Sequence, residues 1–392
     1  MTICLLLIAP GQRLLAGPTG HGGRLPGTSR GAGRSGSPFP MRGQDACPDP
    51  LSDPRRDDAR RRRDRPDDDQ GPPGMKAARQ VADCLVIGAG PAGLLAALYL
   101  ARFRRRVVAV DAGDGRALGI PRLNNCPGFP DGISGRELVD RLRRQATQYG
   151  ADIVPGHAAA IARQGAGFAV TCGGGTRLPA RRLLLATGVT DFLPDLPRIK
   201  ENIARRSLCL CPVCDGYEAS GKRIGVFGQD AHALREAIFL RSFSSEVFLL
   251  VQDPAALSDA SRAQAAQAGI GICEGIRAID SGASGYVARL LDGREIAFGV
   301  IYAALGYAVR AELAATLDIR RDDKGHIRVD AHQQTNARGV YAAGDVVHSL
   351  NQIAVALGQA ATAATAIHND LRQEDEGSSA AQPGAETGIT GG

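Results

Sequence analysis

A glycine-rich signature at residues 81–93 constrains the fold of this 392-residue chain more than any other feature. The segment "VADCLVIGAGPAG" contains an apolar strand, and Gly88, Gly90 and Gly93 follow that strand at GxGxxG spacing. A helical pattern begins at once, and "RRVVAV" then supplies a second strand that ends at Asp111. Glycines form the turn and let the backbone approach a pyrophosphate, the helix N-terminus attracts its charge, and the acid accepts from a ribose hydroxyl. The order of these parts predicts an α/β nucleotide-binding unit.

Two later segments favour FAD as the nucleotide. The run "LLLATGV" at residues 183–189 has the pattern of a buried strand that ends in a Thr-Gly turn. The run "GVYAAGDVV" at residues 339–347 contains Gly344 and Asp345 at a strand end and precedes a helical pattern over residues 350–371. An acid at a strand end suits the ribityl chain of a flavin, and a neighbouring helix N-terminus suits its N1–C2=O edge. We therefore expect one FAD site built from separated pieces of the chain.

A dithiol redox centre is indicated by "CLCPVCDGYE". Cys211 and Cys214 are separated by two residues, which allows a small disulfide, and Pro212 suits the first position of a helix whose N-terminus would favour a thiolate. Asp215 follows the pair and is placed to act as general acid and base, a role that a pKa raised by partial burial would help. Cys209 suggests zinc, but no second Cys/His pair follows at the usual spacing. We expect no metal site.

Composition limits the class of protein. Forty-four per cent of the residues are apolar without a long charge-free run, which indicates a globular protein that does not enter a membrane. Residues 1–74 hold twelve Arg and nine Asp, and the rest of the chain has 35 basic and 32 acidic residues, so we expect no nucleic-acid partner. Residues 1–74 are expected to be a disordered extension before a candidate start at Met75, and residues 373–392 a disordered tail. Nine scattered cysteines favour the cytoplasm over secretion.

From Met75 to about Leu371 the chain resembles the low-molecular-weight thioredoxin reductases. The resemblance rests on five motifs in the family's order: the GxGxxG turn, "NNCPGFPDGISG" (124–135), "ATG" (186–188), "CPVCDG" (211–216) and "GVYAAGDV" (339–346). It implies an α/β fold of two Rossmann-like nucleotide-binding domains, the second inserted into the first. The FAD-binding domain would comprise residues 75–193 and 304–372, and an inserted NAD(P)-type domain, residues 194–303, would carry the dithiol.

The resemblance also implies roles for individual residues. Cys214 would face the flavin and pass electrons, and Cys211 would attack an external disulfide, while rotation of the inserted domain presents the pair to each in turn. The expected partner is a thioredoxin-like protein or a small dithiol or disulfide substrate, and the expected form is a cytoplasmic homodimer. The residues expected to hold FAD are Gly88, Gly90, Pro91, Ala92, Gly93, Asp111, Asn125, Thr187, Gly188, Gly344, Asp345 and Gln352.

Three departures from the family pattern concern the flavin and the nicotinamide nucleotide. "DGRALGIPRLNN" stands where the family has a Gly-Gly-Gln loop near the flavin. The turn of the inserted domain begins with Gly228 but has Asp230 at the second glycine position, which faces a pyrophosphate. Val251, Gln252 and Asp253 replace the His-Arg-Arg that holds the 2′-phosphate of NADPH. We therefore expect NADPH to be a poor electron donor and NADH, with Asp253 near its ribose, to be the less poor of the two.

Together the motifs predict an FAD-dependent thiol–disulfide oxidoreductase, an enzyme of the thioredoxin-disulfide reductase type whose electron donor is open. A dithiol oxidase that returns electrons to O₂ is the first alternative, and a reductase fed by ferredoxin is another. A flavin-binding redox sensor without turnover is a third alternative. The intact dithiol counts against the sensor, because a protein that only binds flavin needs no paired thiols.

Overall fold

The computed structural model describes residues 80–195, 198–228, 231–282 and 285–380. The predicted extension (residues 1–74) and the candidate start at Met75 lie outside these ranges. The described residues form two mainly parallel sheets built from strand–helix units and two small antiparallel sheets, which confirms the predicted α/β fold of two Rossmann-like halves. Within these ranges, no helix combines the length and the apolar character needed to span a bilayer.

The first sheet is built around the strand of the GxGxxG signature. Its strands are β1 (Ala82–Ile87), β2 (Val107–Asp111), β3 (Asp152–Pro155), β4 (Ala158–Gln164), β5 (Gly167–Cys172), β6 (Arg177–Leu185) and β17 (Val340–Ala342). Six of them lie in the order β3-β2-β1-β6-β5-β4, and β17 pairs with the C-terminal end of β6. All pairs are parallel except β4·β5 and β5·β6. Apart from Asp83 and Asp111, β1 and β2 are apolar and buried, as expected of central parallel strands covered on both faces.

Three helices pack against this sheet: α1 (Pro91–Arg102), α2 (Gly135–Gln148) and α7 (Ile353–Ala380). α1 begins with Pro91, which lacks a backbone N–H. This costs nothing at the first position of a helix, because an N–H there has no acceptor within the helix. α2 begins after Ser134, whose side chain accepts from the N–H of Glu137 and caps the helix. α1 and α7 contact each other largely through alanines, which lets the two helices approach closely over the sheet.

The second sheet contains five parallel strands in the order β11-β10-β9-β15-β8. Its strands are β8 (Leu208–Cys209), β9 (Ile224–Phe227), β10 (Val247–Val251), β11 (Gly271–Glu274) and β15 (Val300–Ala303). The helices in this part of the chain are α3 (Ile199–Ala204), α4 (Pro212–Asp215), α5 (Ala231–Leu240) and α6 (Asp259–Gln267). β9, α5 and β10 repeat the strand–helix–strand order of the first sheet, which makes this the second Rossmann-like unit.

Two antiparallel sheets complete the described fold. The strands β12 (Ile276–Gly282), β13 (Gly285–Leu290) and β14 (Glu295–Phe298) form a three-stranded meander. β7 (Val189–Asp191) pairs with β16 (Tyr307–Val309). β7 follows the first sheet and β16 follows the second, so the β7–β16 pair stands where the chain leaves the first sheet and returns to it. The domain boundaries predicted at 193/194 and 303/304 lie beside this pair and stay predictions.

The C-terminal helix is longer than the sequence predicted. The helical pattern suggested residues 350–371 followed by a disordered tail at 373–392, whereas α7 continues to Ala380. Glu374, which falls in the predicted tail, pairs with Arg182 of β6 at 2.5 Å. This ion pair holds the polar end of the helix against the sheet, a contact that no local pattern reveals. Only residues 381–392 of the predicted tail lie outside the described ranges.

Candidate functional site

The predicted FAD residues and the predicted dithiol line one cavity of about 890 Å³. It lies at the C-terminal ends of the central strands of the first sheet, where motifs far apart in sequence converge because parallel strands end at the same edge. The predicted residues that line it are Gly88, Gly90, Pro91, Ala92, Asp111, Asn125, Thr187, Gly188, Gly344, Asp345 and Gln352, together with Cys211, Cys214 and Asp215. Of the predicted set, Gly93 alone does not line the cavity.

The glycine turn has the geometry that a pyrophosphate requires. Gly88 has a φ of +104°, and a Cβ built there would stand 2.4 Å from the carbonyl oxygen of Ala186. A Cβ on Gly90 would meet no atom within 4 Å, so this position faces open space. A Cβ on Gly93 would stand 1.8 Å from the carbonyl oxygen of Gly88, so Gly93 permits the close contact of helix and turn. No side chain caps the N-terminus of α1, whose backbone N–H groups therefore remain available to a phosphate.

Asp111 ends β2 at the cavity wall, where the sequence placed an acid for a ribose. Its Oδ1 accepts from the N–H of Gly113 at 2.9 Å, and its Oδ2 is paired with Arg143 of α2. These contacts fix the orientation of the carboxylate, and each oxygen keeps a further lone pair for a ribose hydroxyl. Arg143 could not be predicted from the sequence, because a partner 32 residues away carries no local signal.

Arg116 is the most connected charged group in the cavity wall, and the sequence analysis missed it as well. Its Nε and Nη2 lie 2.7 and 2.8 Å from the two oxygens of Asp191, and its Nη1 lies 2.8 Å from Asp345. Burial acts to lower the pKa of the Arg116 guanidinium, but Asp191 and then Asp345 raise it above its usual value. Arg116 belongs to "DGRALGIPRLNN", so the loop that departs from the family pattern positions the predicted ribityl acid, Asp345, through its charge.

A pair of amides, Asn351 and Gln352, lies between the flavin residues and the dithiol. Asn351 is 6% exposed, and neither polar atom of its side chain has a hydrogen-bond partner among the described residues. Gln352 accepts from Asn125 Nδ2 at 3.0 Å, and its own Nε2 lies 3.5 and 3.4 Å from the sulfur atoms of Cys211 and Cys214. An orphaned buried amide in a cavity wall is costly unless a ligand satisfies it, so Asn351 indicates a polar ligand at this end.

The residues present therefore fit FAD. The uncapped N-terminus of α1 and the open Gly90 suit its pyrophosphate, the acid at the end of β2 suits its ribose, and Asn351 suits a polar edge of its ring system. When bound, FAD supplies a two-electron redox group at this cavity.

Cys211 and Cys214 form a disulfide in the cavity wall. Pro212 occupies the first position of α4, as predicted, and Cys211 caps the helix by accepting the N–H of Cys214 on its Sγ at 3.1 Å. After reduction, the same N–H stabilises a thiolate on Cys211. Cys211 is only 6% exposed, so in this arrangement its sulfur is presented to the cavity and withheld from a protein substrate.

Asp215 lies at the end of α4 with a partly buried carboxylate. Burial raises the pKa of Asp215 above its ordinary value. The guanidinium of Arg206, whose Nη2 lies 3.1 Å from Oδ1, lowers this pKa but does not cancel the effect of burial. Burial, and then the charge of Asp215, raise the pKa of the Cys209 thiol far above its usual range, so Cys209 stays protonated and inert at neutral pH. The direction of the Asp215 shift agrees with the sequence analysis, which did not foresee Arg206.

The second nucleotide turn is only partly described. A Cβ on Gly228 would stand 2.8 Å from the carbonyl oxygen of Ala304, so this glycine permits a close backbone contact. Asp230, on which the predicted repulsion of a pyrophosphate depends, lies outside the described residues. At the end of β10, Asp253 accepts the N–H of Ala255 at 3.0 Å and caps a short turn. Arg262 of α6 donates to the carbonyl of Pro254 at 2.7 Å and pairs with Glu274.

Comparison with known proteins agrees with this geometry. Residues 82–360 match the family described as pyridine nucleotide-disulphide oxidoreductase. Thioredoxin reductase of Streptomyces clavuligerus is 32% identical over 302 residues, which cover 72% of this chain and 92% of that enzyme. The crystal structure of HlmI is similar with a TM-score of 0.72 at 31% identity, covering 77% of this chain and 96% of HlmI. That of thioredoxin reductase from Streptococcus pyogenes MGAS5005 is similar with a TM-score of 0.69 at 26% identity, covering 75% and 99%.

The family uses FAD and NADPH, and its thioredoxin reductases act on thioredoxin. The cavity that fits FAD and the disulfide in its wall are the parts that such an enzyme needs. This chain therefore belongs to the pyridine nucleotide-disulphide oxidoreductase family and is a thioredoxin reductase-like, FAD-dependent disulfide oxidoreductase.

Proposed function

We propose that the chain reduces the disulfide of a thioredoxin-like protein with the Cys211/Cys214 dithiol, which is itself reduced at the FAD cavity. The observation that carries the proposal is the position of the disulfide in the wall of that cavity, where Gln352 contacts both sulfur atoms. A redox pair held at the flavin site is what electron exchange there requires. By analogy with the relatives we further propose that the enzyme works as a cytoplasmic homodimer.

In the proposed exchange, the thiolate of Cys211 attacks one sulfur of the substrate disulfide. This forms a mixed disulfide and releases the other substrate sulfur as a thiolate. The thiolate of Cys214 then attacks Cys211 Sγ, which releases the second substrate sulfur and restores the Cys211–Cys214 disulfide. Asp215, whose pKa is raised by burial, protonates one departing thiolate and takes its proton back from the Cys214 thiol, and solvent protonates the other thiolate. Two electrons pass from the dithiol to the substrate, and two thiols are formed.

The burial of Cys211 implies a movement in this cycle. With 6% of the residue exposed, its sulfur has no access to a disulfide on another protein. We propose that residues 194–303 rotate about the β7–β16 pair to carry the dithiol out of the cavity. Such a rotation breaks two polar contacts across the two parts of the chain: Asn124 Nδ2 to Glu218 Oε1 at 2.6 Å, and Gln352 Nε2 to the disulfide.

We propose that NADPH is a poor donor to this enzyme. The strand end that would receive the 2′-phosphate presents Gln252 and Asp253, and Asp253 places a carboxylate where a phosphate requires cations. The nearby Arg262 is already engaged by Glu274 and by a backbone carbonyl. The same observation favours a second candidate function, a dithiol oxidase in which a small dithiol reduces the Cys211–Cys214 disulfide and O₂ is the final acceptor.

The test is anaerobic stopped-flow mixing of the FAD-loaded protein with NADPH, NADH or a small dithiol, followed by flavin absorbance. We expect slow bleaching by both nucleotides, with NADH the faster of the two. A variant with both Cys211→Ser and Cys214→Ser is the matched control, because it keeps the nucleotide reaction and loses the dithiol reaction.

Three outcomes separate the candidates. Reduction of a thioredoxin disulfide, once the flavin has been reduced by any donor, supports the reductase. In a parallel assay in air, oxygen consumption with a small dithiol and no transfer to thioredoxin supports the oxidase. Complete bleaching by NADPH within about a second, the time scale of ordinary enzymatic turnover, would refute the donor proposal. If Arg262→Ala then slows that bleaching, Arg262 holds the 2′-phosphate in place of the missing arginines.

A further inference from the structure

A cluster of metal-ligating side chains lies outside the FAD cavity and has no part in the proposed reaction. Asp322, His326 and His348 present one carboxylate oxygen and two imidazole nitrogens, all within 4.8 Å of one another. None of the three lines the cavity. His326 is 2% exposed, whereas half of the His348 side chain is exposed. We propose that this cluster binds a divalent metal ion and that Zn²⁺ is the ion that its ligands suit best.

The backbone brings the cluster together from two segments. Ile327 and Val347 form a parallel bridge, which brings together the two segments that carry His326 and His348. The two imidazole rings stack with centroids 5.1 Å apart. Oδ1 of Asp322 accepts from two backbone N–H groups of its own loop, at 2.9 Å each. This loop holds the carboxylate so that Oδ2 is directed at both rings.

Two of the three distances between ligand atoms are close to those of a three-ligand metal site. Nδ1 of His326 lies 3.1 Å from Asp322 Oδ2, and Nδ1 of His348 lies 2.9 Å from the same oxygen. Around a tetrahedral Zn²⁺, bonds of roughly 2.0 to 2.2 Å set neighbouring ligand atoms ~3.3 Å apart. A small widening of the cluster therefore makes room for the ion. Two imidazoles and a carboxylate are a ligand set that zinc accepts, and the exposed side of His348 leaves the fourth position to water.

Contacts behind the ligands support a metal site. Tyr307 OH lies 2.9 Å from Nε2 of His326. An imidazole that binds a metal through one nitrogen donates its other N–H to an acceptor, which fixes its tautomer and orientation. The Tyr307 hydroxyl supplies that acceptor. The two loop N–H groups that donate to Oδ1 likewise fix the orientation of the Asp322 carboxylate. Because Tyr307 belongs to β16, an ion here fastens the β7–β16 pair to the residues that follow Asp345.

The experiment uses the FAD-loaded full chain in its disulfide form, without reductant, so that Cys211 and Cys214 offer no thiolate to a metal. After treatment with a chelator, the protein is titrated with Zn²⁺ by calorimetry and with Co²⁺ by absorption at wavelengths beyond the flavin bands. The key variant is His348→Ala, since this half-exposed side chain is the ligand whose removal disturbs the packing least. His332→Ala, which changes an exposed histidine outside the cluster, is the matched control.

We expect Zn²⁺ to bind and its affinity to fall by roughly 100-fold or more in His348→Ala. Tyr307→Phe should lower the Zn²⁺ affinity by roughly 10- to 100-fold, as is typical when a metal ligand loses its hydrogen-bond partner. Tetrahedral Co²⁺ absorption should appear in the wild type and in His332→Ala and be absent from His348→Ala. Equal Zn²⁺ affinity in His348→Ala and the wild type, or no Zn²⁺ binding by the wild type, would overturn the proposal and leave the trio a hydrogen-bonded cluster only.

Discussion

The ion pairs of Arg116 allow a sharp test of how the cavity wall is held together. Arg116→Met removes the charge and keeps most of the stem volume, which leaves Asp191 and Asp345 without their shared partner. The side chains of Arg116, Asp191 and Asp345 are 21%, 13% and 19% exposed, so about a fifth or less of each carboxylate reaches water. We expect the variant to fold with reduced stability and with weaker retention of FAD.

The magnitude follows from these distances. At 2.8 Å and an effective dielectric constant near 20, each opposite-charge pair is attractive by about 6 kcal/mol. Desolvation of the ions offsets most of that attraction, and removal of one partner from a buried pair costs roughly 3 to 5 kcal/mol. Because solvent still screens part of each carboxylate, we expect a loss of roughly 2 to 4 kcal/mol in the free energy of unfolding.

The assay is urea unfolding of the FAD-loaded protein, followed by far-UV circular dichroism and flavin fluorescence because the chain has no tryptophan. The matched control is Arg141→Met: Arg141 pairs with Glu137 at 2.6 Å, but both side chains are about half exposed. An exposed pair of this kind is worth at most about 1 kcal/mol. A double-mutant cycle with Asp191→Asn should give a coupling of roughly 1 to 3 kcal/mol.

Two results would contradict this reasoning. A loss in Arg116→Met no larger than that in Arg141→Met would show that the partly buried pairs contribute no more than an exposed one. A coupling near zero with Asp191→Asn would show that any loss arises from packing of the Arg116 stem and not from its charge.

Three further predictions concern the site. Cys211→Ser should abolish turnover and leave the Cys214 thiolate beside the bound flavin, seen as a long-wavelength absorption band; normal turnover by both single serine variants would contradict the dithiol mechanism. Asp345→Ala should purify folded but largely colourless, and full flavin occupancy would remove Asp345 from the FAD site. Asp215→Asn should slow disulfide reduction yet stabilise the fold at pH 7. Because burial raises the pKa of Asp215 in the folded protein, the protonated carboxyl stabilises the fold below the unfolded pKa. That stability is lost as the pH rises through the folded pKa, and the asparagine avoids the loss. Urea unfolding should therefore show that the variant has a larger free energy of unfolding than the wild type at pH 7 and an equal one in acid. A difference that does not depend on pH would show that the titration of Asp215 is not its cause.

The local motifs of this chain were sufficient to predict its family, its fold class and fourteen of the residues that line its cavity. Gly88, Gly90 and Asp111 could be assigned because a tight turn and a strand end each impose a residue type at a fixed spacing. The Cys211–Cys214 disulfide could be predicted for the same reason, since two residues between cysteines already bring the sulfurs together. The convergence of these motifs also followed, because parallel strands end at one edge of a sheet.

Other features depended on contacts that only the tertiary structure creates. Arg116 meets Asp345 across 229 positions of sequence, and Glu374 extends α7 by pairing with Arg182 across 192 positions. The histidines of the candidate zinc site come from two separate segments that meet at an isolated bridge, so no local spacing marks them as a pair. Spacing along a chain encodes what neighbouring residues do to one another, whereas ion pairs and metal ligands depend on distance in space. For this protein the sequence by itself determined the cofactor turn and the redox pair, and the folded chain decided which charges hold them in place.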